Sequence, residues 1–102
     1  MPAGLLVAQC CHAVSKFYEE HPDLAKDWYL NSNYIVILAS KDKSSLECLQ
    51  AVLTNNKLKL SSFYEPDIGD ELTAIAIEPN EKAKALLSSL PLALRNKETC
   101  IL

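Results

Sequence analysis

A chain of 102 residues is one domain's length, with room for a single hydrophobic core and little to spare. Hydrophobic residues at 49% and charged residues at 23% exclude disorder over most of the length, and no run reaches the ~18 apolar residues of a membrane span. The net charge of −3, with Arg95 as the sole arginine, lacks the basic excess of a dedicated nucleic-acid binder, although a local patch can still contact phosphates.

The four cysteines, Cys10, Cys11, Cys48 and Cys100, form no C-x-x-C pair and no Cys/His zinc spacing. They read as buried or half-buried thiols of a reducing cytosol, with no metal site and no cofactor implied. The apolar N-terminal run has no positive leading region and is interrupted by Gln9 and His12, so it is not read as a signal peptide. A cytoplasmic location is the expectation. Cys100 stands third from the end, so the prenylation pattern is not met.

In chain order, a first helix is expected from about Pro2 to Glu20. Leu6, Cys10, Ala13, Val14 and Phe17 fall on one face, and Leu5, Gln9, His12 and Lys16 make a second, mostly polar stripe. His21-Pro22 ends the helix, because the residue before proline is pushed out of the α region. Asp23 is the expected cap of a short helix over 23–30 that carries Trp28. Asn31-Ser32-Asn33 is a turn. Tyr34 to Ala39 reads as a strand buried on both faces, being continuous, apolar and rich in β-branched residues.

Asp42 caps a helix over 42–56 with Leu46, Leu49, Val52 and Leu53 facing inward. Residues 58–64 form a weaker strand with polar interruptions, placed at a sheet edge, and 72–77 a second near-continuous apolar strand. Pro79-Asn80 caps a final helix with Ala83, Leu86, Leu87 and Leu90 inward, stopped at Pro91. Residues 1–94 make one domain, and 95–102 a frayed tail. The order α-α-β-α-β-β-α predicts an α/β fold, three layers α/β/α about a small mixed sheet of three recognisable strands.

Two segments carry the chemistry. Gly4-Leu5-Leu6-Val7-Ala8-Gln9-Cys10-Cys11-His12-Ala13 sets Gln9 and His12 three apart in an apolar helix. Glu65-Pro66-Asp67-Ile68-Gly69-Asp70-Glu71-Leu72-Thr73 is an acidic turn leading into a strand. Together with Leu90-Pro91-Leu92-Ala93-Leu94, they resemble the type II peptidyl-tRNA hydrolase family, in its bacterial branch, over about residues 2–94. The chain departs from the family in three ways. The family's first strand is missing, a lysine pair on helix one stands here as Ala3 and Leu5, and the loop after Asp67 is shorter. The missing strand implies an open edge, filled by upstream chain or by a strand borrowed in a homodimer.

The resemblance implies cleavage of the ester between peptide and the 3′-terminal ribose of tRNA. Asp67 is the expected group to orient or deprotonate water, with Thr73 bonding the carboxylate or the substrate. Gln9 holds the loop backbone or contacts the substrate, and His12 lies one turn further along the same stripe. Lys41, Lys43, Lys57, Lys59, Lys82 and Lys84 are the expected phosphate contacts on tRNA. The alternative is a catalytically impaired relative acting as an RNA- or protein-binding module, which Leu5 and the shortened loop favour.

Overall fold

Prolines and short polar residues set the helix boundaries. The computed structural model describes residues 2–93, so the tail expected beyond Arg95 lies outside the described residues. Helix α1 spans Ala3–Glu20 and α2 spans Pro22–Asn31. Between them His21 leaves helical geometry (φ −133°, ψ 61°) while its N–H still closes on the Phe17 carbonyl at 2.8 Å. Asp23 is not the cap of α2. That position falls to His21, and Asp23 lies in the first turn, where a carboxylate complements the positive helix end.

Helix α3, Lys43–Asn55, starts as its sequence dictates: the Asp42 carboxylate accepts a hydrogen bond from the Ser45 N–H at 2.8 Å. The same bond holds the Asp42 carboxyl below the ordinary carboxylate value. A carboxylate depressed in the folded state stabilises fully above its unfolded value, and that contribution is lost as pH falls through the folded one. Acid titration of Asp42→Asn is therefore expected to show a shallower loss of stability at low pH than the parent chain. Circular dichroism at fixed urea, stepped through acidic pH, measures it.

Strands β1 (Leu60–Glu65) and β2 (Glu71–Ile77) pair antiparallel, Leu60 opposite Ile77 and Glu65 opposite Glu71. A single 3₁₀ turn, Pro66–Ile68, forms the hairpin tip, and Gly69 (φ 74°) and Asp70 (φ 57°) reverse the chain in the left-handed region. Helix α4, Glu81–Leu86, is capped by Asn80, whose side chain accepts from the Ala83 N–H. It is shorter than expected, ending well before Pro91.

Side chains of β1 alternate between two helices. Ser61 bonds Glu20 and Phe63 stacks on His12, both on α1. Ser62 and Tyr64 both accept from Gln50 on α3. The core is correspondingly small. Leu53, Leu58 and Ala83 bury together with Leu49, Leu60, Ile77, Leu86 and Leu87 against them, while Ala13 and Phe17 bury under α1.

The third strand is the main difference from expectation. Among the described residues the architecture is mixed α/β, four helices with a two-stranded antiparallel sheet. Residues 34–39 form an extended segment whose one ladder contact is an isolated antiparallel bridge between Leu38 and Leu92. Its side chains were expected to be buried on both faces, yet Tyr34 is 76%, Ile35 55% and Val36 57% exposed. Composition supplies the propensity for a strand, but only a paired neighbour along its length completes one, and among the described residues pairing is limited to the single bridge to Leu92.

Candidate active site

Helix α1 carries a polar row that runs along β1. His21 Nε2 lies 3.0 Å from the Leu60 carbonyl, the Ser61 hydroxyl donates to Glu20 at 2.6 Å, and Lys16 Nζ donates to the Ser62 carbonyl at 2.6 Å. His12 follows, stacked on Phe63 with ring centroids 4.7 Å apart, and then Gln9. The buried face of α1 is therefore Gln9, Ala13 and Phe17; of the expected face Ala13 and Phe17 are buried and Leu6 and Cys10 half-buried, while Val14 is 41% exposed and Gln9, from the other stripe, takes its place. An i, i+4, i+8 row has the right spacing for one side of a helix.

Gln9 is the informative member. It is 2% exposed, and its Oε1 accepts the Thr73 hydroxyl at 3.0 Å across a sequence gap of 64 residues. The same hydroxyl lies 3.4 Å from the Phe63 carbonyl. A bulge between Phe63 and Tyr64 makes this meeting possible. Ile77 packs toward Leu53 on α3, so unbroken alternation would turn Thr73 to α3 as well. The register shift instead presents Thr73 to α1, which is how bulges re-aim single side chains beside functional sites.

The amide nitrogen of Gln9 has a different environment. Among the described residues it donates to no protein acceptor, yet no buried side-chain polar atom lacks a partner. Among the described residues the Gln9 amide is thus held from one side, by the Thr73 hydroxyl on Oε1. Removing the Thr73 hydroxyl should expose that dependence. Thr73→Val is expected to cost about 1–3 kcal/mol by leaving Gln9 Oε1 unpaired, with Thr73→Ser near parental stability. Urea denaturation of both variants measures the difference.

Three of the four residues expected in the site thus gather around Phe63: Gln9, His12 and Thr73. Asp67 stands apart, exposed on the hairpin tip, with no hydrogen bond to them among the described residues. The first paired residue after the tip, Glu71, is two positions from Thr73, a strand rise of about 7 Å. Phe63 escaped the sequence reading; its single signal there is its place in an interrupted strand whose register the bulge conceals. Burial raises the Cys10 thiol above the ordinary value and the neighbouring Cys11 adds to the effect, so the thiolate is disfavoured. Among the described residues no cluster of His, Cys, Asp or Glu is arranged to hold a metal ion.

The described residues thus form a mixed α/β domain with an amide, a hydroxyl and an imidazole on one helix–strand seam and a carboxylate on the hairpin tip beyond it. A family model, Peptidyl-tRNA hydrolase PTH2, matches residues 1–92, and the chain belongs to that family. No individual curated protein matches it. No helix among the described residues is long and apolar enough to cross a membrane.

Proposed function

We propose that this chain hydrolyses the ester joining a peptide to the 3′-terminal ribose of tRNA, releasing the tRNA for reuse in the cytoplasm. The observation that carries the reading is the Gln9–Thr73 bond, made at a strand bulge within a chain of the peptidyl-tRNA hydrolase family. Hydrolysis needs an oriented water, a donor for the oxyanion and a proton for the leaving ribose hydroxyl. In this reading Asp67 orients and deprotonates the water. The Gln9 amide, held by Thr73, donates to the developing oxyanion, and His12, braced on Phe63, faces the leaving group. No metal or cofactor takes part.

The reading also includes the three-layer form of the fold, with residues 34–39 as a third strand once that segment is paired. The alternation of β1 side chains between α1 and α3 supports it. The lysines at 41, 43, 57, 59, 82 and 84 contact tRNA phosphates. One pair of groups already meets: Lys82 Nζ reaches the Asn56 carbonyl at 3.1 Å, setting it beside Lys57 at the end of α3. Release of labelled peptide from purified peptidyl-tRNA, followed across a salt series, tests the proposal. Turnover that weakens as salt rises supports both the chemistry and the phosphate contacts; no release at any salt rejects the chemistry.

One observation favours a second reading, an RNA- or protein-binding relative without ester cleavage. Leu5, 47% exposed near the start of α1, stands where the family carries a lysine. Binding of tRNA at parental strength without peptide release would select it.

A further inference from the structure

Lys16 is the one lysine among the described residues that is not exposed. It donates one of its three ammonium protons to the Ser62 carbonyl at 2.6 Å, and among the described residues it meets no carboxylate at ion-pair distance. Its Nζ also lies 5.8 Å from the centroid of the Tyr64 ring, inside the range of a cation–π contact. Tyr64 is unlike its neighbours. It is the one exposed residue of β1, at 42%, in a strand whose other members are buried or half-buried. The ring is nevertheless pinned. Its hydroxyl accepts from the Gln50 amide on α3 at 2.9 Å, and the same amide donates to Ser62 at 2.6 Å. An exposed ring already held in place gives up little further freedom when a flat ligand lands on it.

This pair stands one step beyond the site on both elements. Lys16 is about one helical turn past His12 on α1, and Tyr64 follows Phe63 across the bulge. The contacts between α1 and the hairpin therefore run Gln9–Thr73, His12–Phe63 and Lys16–Tyr64. In the proposed hydrolysis, on which this inference rests, Gln9 serves the oxyanion and His12 the leaving ribose. The next position along that line is on the leaving-group side, where the nucleotide continues and the peptide does not.

We propose that Lys16 and Tyr64 form a subsite for the 3′-terminal nucleotide of the tRNA, its base stacked on the Tyr64 ring and a phosphate of the same end held by the Lys16 ammonium. Every base has a π-face, so an aromatic platform beside a cation suits an unpaired end without demanding a sequence. The phosphate supplies the negative charge that Lys16 lacks, and the ammonium keeps its bond to Ser62 while using its other protons. An apolar side chain of the peptide would cover the ring but leave the ammonium uncompensated. A carboxylate of a protein partner would compensate the ammonium without using the ring.

Binding of uncharged tRNA tests the subsite without ester cleavage. Fluorescence anisotropy compares the parent, Tyr64→Leu, Tyr64→Phe and Lys16→Gln, each with intact labelled tRNA and with tRNA whose last nucleotide is abasic. Tyr64→Leu is expected to bind intact tRNA about 5- to 150-fold more weakly, the loss for one stacked base, and Tyr64→Phe, which keeps the ring, should stay close to the parent. The parent should lose a similar factor when the terminal base is removed, and Tyr64→Leu should then lose nothing further, because the two changes delete one contact. Lys16→Gln keeps a donor for the Ser62 carbonyl and removes the charge, so its plot of log Kd against log salt should be shallower by about 0.7. Parent binding indifferent to the abasic end overturns the inference whatever the variants do. So does equal weakening of both tRNAs by a folded Tyr64→Leu, or an unchanged salt slope in Lys16→Gln. Peptide release by a parent chain that fails this cycle leaves the hydrolysis standing and removes the subsite alone; absence of tRNA binding at low salt removes both.

Discussion

Asp67→Asn is expected to lower the turnover of peptidyl-tRNA by about 10²–10⁴-fold, the span that a positioned general base supplies. Asparagine keeps the size and the turn preference of aspartate but cannot take a proton. The residue is exposed on the 3₁₀ tip and makes no hydrogen bond among the described residues, so folding should be unaffected. The loss should fall on kcat, with KM near parental, because the lysines that would hold tRNA are untouched. Asp70→Asn is the matched control. It removes a neighbouring carboxylate at a left-handed position (φ 57°) that asparagine accepts readily, and turnover should stay close to parental. Single-turnover peptide release from one preparation of peptidyl-tRNA compares all three chains. Equal rates for the parent and Asp67→Asn would remove Asp67 from the chemistry and leave Gln9, His12 and Thr73 to be explained as a structural seam.

The parts of this fold that were legible in the sequence are those fixed by local chemistry. Asp42 and Asn80 cap helices because each side chain needs only the amide three residues on. His21-Pro22 breaks the first helix for a reason contained in two residues. Gln9, His12 and Thr73 were legible as polar residues in apolar surroundings, and the family resemblance joined them into one site. What escaped the reading depends on partners distant in sequence. The face α1 buries is decided by β1, whose carbonyls draw Lys16 and His21 inward and leave Val14 exposed. The bulge that turns Thr73 toward Gln9 is a register shift between two strands, which no single-strand pattern encodes. Residues 34–39 have the composition of a buried strand, but pairing is a property of two segments.

Leu53→Ala is expected to cost about 2–5 kcal/mol, the range for truncating a leucine at a fully enclosed site. Leu53 is the largest apolar side chain with no exposure at all, 0%, and it joins α3 to Leu58, to Ala83 of α4 and to Ile77 of β2. Its surroundings have little means of collapsing into the space. Ala83 is small, and Leu58 is held where the chain leaves α3, its N–H closing on the Leu53 carbonyl at 3.2 Å. The effect is large relative to the reserve. A domain of this size has about 5–15 kcal/mol in total, and much of its apolar surface is spent outside the core, with Tyr29, Leu30, Tyr34, Ile35 and Val36 all more than half exposed. At about 4–8 °C per kcal/mol, the variant should melt about 8–40 °C below the parent. Val52→Ala, one residue away but 43% exposed, is the control and should shift the midpoint by a small fraction of that. Comparable losses at 52 and 53 would mean that α3 presents a different face to β2 than the Leu53–Ile77 contact requires.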